Sequence, residues 1–92
     1  MKFYISSSDA ILPSKATPDS AGYDFYSTRR IIVRAGKTAT IETSIAAQIP
    51  NSKCGFLKSR NGLYSSHLIA VFSGVIDSDY VDEIKIILHN QK

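Results

Sequence analysis

No apolar pattern in this chain runs for more than a few residues before a turn signal interrupts it. Phe3-Tyr4-Ile5, Ile31-Ile32-Val33 and residues 68–72 are short β-branched or aromatic runs. Each is bounded by Gly, Pro, Asn, Asp or Ser within a few positions. An amphipathic helix needs apolar residues recurring at a period of about 3.6 over ten or more positions, and no such segment of useful length occurs. The chain is therefore restricted to short strands joined by turns, which suggests a sandwich or barrel. Residues 38–49 form the longest strand candidate. Thr38, Thr40, Ile41, Thr43 and Ile45 are β-branched there, which favours extended backbone, and Pro50-Asn51-Ser52 ends the run as a turn.

The remaining segments follow the same logic. Residues 6–20 are dense in Ser, Pro, Asp and Thr and read as a loop. Residues 23–26 are aromatic-rich and short, which suits a strand. Ile31-Ile32-Val33 reads as a further strand, and Ala35-Gly36-Lys37 as the turn that follows it. Residues 55–57, 68–72 and 83–88 complete the strand candidates. Asn61-Gly62 would by itself make a hairpin turn. The expectation is an all-β fold in a single domain covering residues 1–92, with no internal repeat.

Length and charge narrow the functional classes. A chain of 92 residues is one domain or less. At that size folding removes roughly two thirds of the unfolded chain's surface from water, so the core is thin. Eleven basic and eight acidic residues leave a formal charge of +3. That excess is too small to argue for direct nucleic-acid binding, and the basic residues are scattered apart from Arg29-Arg30 with Arg34 nearby. Cys54 is the lone cysteine, which excludes an intramolecular disulfide and a cysteine zinc cluster and fits a reducing compartment. His67 and His89 have no partner at a metal-ligand spacing. No run of eighteen apolar residues indicates a transmembrane helix. Ser6, Ser7, Ser8 and Asp9 break the N-terminal stretch, so it does not read as a signal peptide. The expected location is intracellular, cytoplasmic or nuclear, with no membrane partner.

Chemistry concentrates in residues 74–83. An apolar run, Gly74-Val75-Ile76, leads straight into Asp77, and Asp79 and Tyr80 follow. Side chains of an extended chain alternate faces. Asp77 and Asp79 would then share one face, with Ser78 and Tyr80 on the other, unless a turn intervenes. An acid buried against Val75 and Ile76 at a strand end is suited to take a proton from water; the plain alternative is a solvated turn between two strands. Arg60, in a polar loop containing Gly62, is suited to fork onto phosphate oxygens, or is simply a surface arginine. Asp24 is suited to a hard cation, directly or through water, or to pairing with an arginine. Tyr80 offers a flat apolar face beside a sugar, or a core ring.

Residues 74–80, Gly-Val-Ile-Asp-Ser-Asp-Tyr, resemble the third motif of the trimeric dUTPases, enzymes that hydrolyse dUTP to dUMP and pyrophosphate. Ala21-Gly22-Tyr23-Asp24-Phe25-Tyr26-Ser27 resembles the first motif, and Gly55-Phe56-Leu57-Lys58-Ser59-Arg60-Asn61-Gly62-Leu63 the second. The motifs keep the family's order and spacing, and the similarity runs over about residues 13–90. The resemblance implies a distorted jelly roll, with a short helical turn around residues 63–66. It implies dUTP and dUMP as ligands, Mg²⁺ as cofactor, and a homotrimer that shares its active sites between subunits. Asp77 is the implied catalytic acid that deprotonates the attacking water. Tyr80 is implied to pack on the deoxyribose and exclude a 2′-hydroxyl. Arg60, with Asn61, Gly62 and Gly74, is implied to bind substrate. Asp24 is implied to hold the metal through water, with Mg²⁺ bridging the phosphates for in-line attack at the α-phosphorus.

The chain also departs from the family. Family members continue well past the position of Asn90, with a fourth motif containing Gly-Asp-Arg and a glutamine, and a fifth, glycine-rich one; this sequence ends at Gln91-Lys92. The expectation is a jelly roll truncated at its C-terminus, with weak or lost activity and a site open to water. The alternative is a catalytically inactive module of the same fold that binds a nucleotide or a protein partner. Asn61 stands where the family has serine, Lys58 where proline is frequent, and Val81-Asp82 where Arg-Gly is usual. Val71-Phe72-Ser73 precedes Gly74, where small residues lie near uracil, and Phe72 is large enough to fill the base pocket. Subunit contacts are expected to cover strand edges and apolar residues such as Ile86 and Leu88.

Overall fold

The computed structural model describes residues 1–72 and 74–92. Among them are seven strands and one helix, and every strand pairing is antiparallel. Strand β1 (Lys2–Ile5) pairs with β3 (Ile45–Gln48). Strand β2 (Thr38–Glu42) and β5 (Ile69–Val71) flank β7 (Lys85–Asn90) in a three-stranded sheet. Strand β4 (Gly55–Leu57) pairs with β6 (Gly74–Ile76), and helix α1 (Asn61–His67) lies between β4 and β5 in the chain. The all-β expectation holds.

The long strand expected over 38–49 is two strands in two different sheets. Between them Ser44 takes a left-handed backbone conformation, φ 54°, and Thr43 is fully buried. The Thr43 hydroxyl donates to the Ile84 carbonyl at 2.6 Å and accepts from the Ile45 N–H at 3.2 Å. A side-chain oxygen thus satisfies backbone groups that the broken ladder leaves without partners. A β-branched run favours strand, but nothing in its pattern marks where a hydroxyl will stabilise a kink.

Two further strand candidates fail for a common reason. Residues 23–26 make only an isolated bridge, in which Asp24 N–H donates to Ser14 C=O at 2.8 Å. Their aromatic rings pack instead: Phe3 meets Tyr23 edge-on at 5.1 Å and Phe25 at 5.8 Å. Ile31-Ile32-Val33 also lies outside the strands, with Ile32 77% exposed. It is tied down by Asn90, whose Nδ2 donates to the Val33 carbonyl at 2.8 Å. Aromatic and β-branched residues favour a half-buried extended surface, and loop packing provides that without a ladder. The turn at Gly36 forms as expected, with φ 73°.

The last strand begins two residues later than expected. Glu83 and Ile84 are taken up by the kink, where Ile84 N–H donates to the Ile45 carbonyl at 2.8 Å. Leu68, expected in a strand, is instead the left-handed residue that closes α1. The core is thin: Ile41, Ile45, Ala47, Ile49 and Ile84 are its buried apolar residues. Gly55 lets β4 approach it closely, since a Cβ there would lie 3.2 Å from Ile49 Cδ1. On the outer face of the β4–β6 pair, the cross-strand partners Phe56 and Val75 remain 66% and 61% exposed.

Candidate active site

The expected site residues line two cavities, not one. Gly74, Asp77 and Tyr80 lie on a cavity of about 240 Å³ beside the β4–β6 pair and the start of β7. Asp24, Arg60, Asn61 and Gly62 lie on a larger, open trough of about 1170 Å³. Leu57, Ile76 and Ile84 line both and form the wall between them. The apolar floor of the trough includes Ile86 and Leu88, both only half-buried.

The first half is built on the loop between β6 and β7. Asp77 directly follows β6 and is exposed, as is Val75, so of the two readings of this stretch the solvated turn is the one that forms and the acid is not buried. A turn at Ser78 and Asp79 interrupts the extended chain, closed by Tyr80 N–H donating to the Asp77 carbonyl at 3.1 Å. Alternation of faces therefore stops at Asp77, and the turn brings Asp77 and Tyr80 to the same cavity. The Tyr80 ring is 40% exposed, so it is not core. Its hydroxyl donates to the Glu83 carbonyl at 2.7 Å, which leaves the ring as the available surface.

The second half sits on loops and a short helix. Arg60 is the N-cap of α1, with extended backbone and its carbonyl accepting from Tyr64 N–H at 3.1 Å. Asn61 and Gly62 open the helix, so they make no hairpin turn, and the helix is longer than the turn expected around residues 63–66. Ser59 Oγ accepts from the Val71 N–H at 2.8 Å and ties this loop to β5. Arg60 Nε lies 3.6 Å from Asp24 Oδ1, with the arginine side chain 69% exposed and the aspartate 26%. Asp24 therefore pairs with an arginine in this state. At that length and exposure the pair is weak and readily exchanged for another anion.

Phe72 does not fill the cavity beside Asp77 and Tyr80. It stacks on His89 of β7 with ring centroids 5.9 Å apart. Ser73, expected near the base, lies outside the described residues.

A Mg²⁺ site can be tested against the donors present. Among the described residues no group of three His, Cys, Asp or Glu side chains is placed to hold a metal. Asp24 is the one carboxylate among the residues lining the trough. Mg²⁺ keeps several waters and commonly takes one or two carboxylates together with substrate phosphates. The donor set fits that shared mode and not an all-protein cage.

Two residues of this region carried no mark in the sequence. Lys85 brings a cation to the Asp77 cavity. The Glu83 carboxylate accepts from the Ser44 N–H at 3.2 Å across 39 positions. Neither stands at a spacing that pattern reading would pick out.

A family model described as dUTPase matches residues 8–92. The chain belongs to the dUTPase family. It is 35% identical over 92 residues to a probable deoxyuridine 5′-triphosphate nucleotidohydrolase of Schizosaccharomyces pombe, covering 98% of this chain and 66% of that protein. It is 40% identical over 87 residues to the deoxyuridine 5′-triphosphate nucleotidohydrolase of Fowlpox virus, covering 95% of this chain and 60% of the relative. A mutant dUTPase of S. aureus phage phi11, solved to show coordination of a structural Mg(II) ion, superposes with a TM-score of 0.93 at 28% identity, over 99% of this chain and 60% of that one. A mutant dUTPase of Staphylococcus bacteriophage 80alpha carrying dUpNHpp superposes with a TM-score of 0.91 at 28% identity, over 97% of this chain and 57% of that one. The distorted jelly roll expected from the motifs is the fold of this chain, which spans less than two thirds of the length of these relatives.

Proposed function

We propose that this chain serves the hydrolysis of dUTP to dUMP and pyrophosphate. The observation that carries the reading is the placement of Asp77 and Tyr80 on one cavity at the end of β6. Support also comes from relatives named deoxyuridine 5′-triphosphate nucleotidohydrolases. Asp77, exposed and free to meet water, takes the proton from the molecule that attacks the α-phosphorus, and pyrophosphate departs. The flat face of Tyr80 packs on the deoxyribose and leaves no room for a 2′-hydroxyl. Arg60 exchanges Asp24 for phosphate oxygens, and the N–H groups and side chain of Asn61 lie beside it for the same anion. Gly62 and Gly74 let the nucleotide approach the backbone without a side chain in the way. Asp24 is the residue that would hold Mg²⁺ through water, and the ion would supply positive charge to the phosphate oxygens.

The reading includes a homotrimer. Asp77 and Arg60 line different cavities within one protomer. A single nucleotide is served by both if the Asp77 half of one subunit faces the Arg60 half of another. The exposed Phe56 and Val75 and the half-buried Ile86 and Leu88 are apolar surface that association would cover. Sedimentation is expected to show a trimer, with a melting temperature that rises with protein concentration. A compact monomer with a concentration-independent melting temperature would defeat the shared site.

The test of function is pyrophosphate release from dUTP by the purified chain with Mg²⁺, with UTP as the comparison substrate. Release from dUTP and little from UTP is expected. A second reading is favoured by the breadth of the open trough: a module of dUTPase fold that binds the nucleotide without turning it over. Calorimetric binding of dUTP with no pyrophosphate release would select it. Neither binding nor release would remove both.

A further inference from the structure

The Tyr80 ring is too exposed for packing alone to hold it, so its orientation depends on what its hydroxyl touches. That partner is the Glu83 carbonyl at 2.7 Å. The carbonyl belongs to a segment clamped from two sides. The Glu83 carboxylate accepts from the Ser44 N–H at 3.2 Å. The next residue, Ile84, is 3% exposed. Its N–H donates to the Ile45 carbonyl at 2.8 Å, and its carbonyl accepts the buried Thr43 hydroxyl at 2.6 Å.

Ser44 explains why a carboxylate is needed there. Its left-handed backbone takes its N–H out of the β2 and β3 ladders, and the residue is only 8% exposed. Its other polar groups are used elsewhere: its carbonyl accepts from Ser6 N–H at 2.9 Å, and its Oγ from the Ser7 hydroxyl at 2.9 Å. A buried N–H without an acceptor is costly, and the Glu83 side chain is the acceptor it has.

We propose that Glu83 is a positioning residue that sets the sugar selectivity of the site: by accepting the Ser44 N–H it fixes the carbonyl that holds the Tyr80 hydroxyl, and with it the ring that excludes a 2′-hydroxyl. This rests on the dUTP reading above. Removing the carboxylate leaves the segment held from the Ile84 side alone, which widens the swing of the ring and admits ribonucleotides.

The experiment compares dissociation constants for dUTP and UTP, with Mg²⁺, in the full chain and its variants. A shape-selective apolar site rejects an added hydroxyl by a factor on the order of 10². Glu83→Ala is expected to erode the dUTP preference by roughly tenfold, and Glu83→Gln, which keeps an acceptor oxygen, to retain it. A residue that only supports the fold would weaken both nucleotides alike; an unchanged ratio in Glu83→Ala overturns the proposal. Should that variant fail to fold, Tyr80→Phe cuts the same link at the other end. It is expected to lose preference to a similar degree, and full preference in it also overturns the proposal. Wild-type protein that binds neither nucleotide removes the dUTP reading and the selectivity with it. The anchoring is then decided by hydrogen exchange: Glu83→Ala should speed exchange at the Ser44 amide, which loses its acceptor, about tenfold and leave the β2–β7 amides unchanged. An equal rate at Ser44 overturns the anchoring too.

Discussion

The Asp77–Tyr80 loop and the Asp24–Arg60 pair belong to the same proposed chemistry but are supported in opposite ways. The first enters from β6, which is laddered to β4, and leaves through Ile84, locked into the Thr43–Ser44 kink by backbone and hydroxyl hydrogen bonds. The second depends on a seven-residue helix with no buried residue and no side-chain cap, and on one exposed ion pair at 3.6 Å. The difference matches the tasks proposed for them. A base and a sugar platform must be held to within a fraction of an ångström to be useful. A triphosphate is attracted by charge over longer distances and tolerates a mobile arginine. On the proposed function, the braced half would be organised before the ligand arrives and the loose half by it.

The sharpest way to break this comparison is Asp77→Asn. The side chain is exposed, and it is the Asp77 backbone carbonyl that closes the turn. Turnover of dUTP should therefore fall roughly 10²–10⁴-fold, the usual cost of losing a general base, while thermal stability stays unchanged. A steady-state assay and a melting curve on the same preparation check both. Equal turnover would remove Asp77 from the chemistry; a large drop in melting temperature would mean that its carboxylate braces the loop.

Thr43→Val is the next largest effect and acts on the brace itself. The variant keeps the side-chain shape but removes a fully buried hydroxyl that serves both Ile84 and Ile45. Leaving those groups unsatisfied is expected to cost about 1–3 kcal/mol. Urea unfolding should show a lower midpoint at an unchanged slope. A change within experimental error would mean that the kink does not hold the loop.

How much of this was legible beforehand follows from range. The strands at residues 3–5, 55–57 and 69–71 are marked by local runs between turn residues, and the motif order was enough to reach the jelly roll. The kink was not legible, because Thr43 and Ser44 look like any other pair in a β-branched run and their partners, Glu83 and Ile84, are about 40 residues away. The same distance hid Glu83. Residues 23–26 misled because aromatic clustering on Phe3 and strand pairing leave the same composition. The apolar run before Asp77 left a buried acid and a solvated turn both open, and the turn forms because β6 is a short strand with Val75 facing solvent. Motif order likewise names candidate site residues without saying which share a cavity. That depends on β4 and β6 forming a wall, which is a tertiary fact.

Asp24→Asn is the smallest expected effect and the most direct probe of the loose half. An exposed ion pair of this length contributes about 0–1 kcal/mol, so the melting temperature should hardly move. Its effect on nucleotide binding depends on the metal. Without Mg²⁺, Asp24 only competes with phosphate for Arg60, so the variant should bind dUTP as well as the wild type or slightly better. With Mg²⁺ the carboxylate is proposed to be a water-mediated metal partner, and the variant should then bind more weakly by about 2–5-fold, the scale of one exposed charge interaction. Raising ionic strength should shrink both differences, because Arg60 is solvent-exposed and Asp24 partly so, and such charges are screened over about 8–10 Å. Calorimetric titrations with and without Mg²⁺, at low and high salt, read all of these. A variant that melts several degrees lower would show that the Asp24–Arg60 pair is structural. A variant that binds more weakly by the same factor with and without Mg²⁺ would show that Asp24 meets the nucleotide by some route other than the metal, and the contrast between a braced and an adaptable half would have to be redrawn.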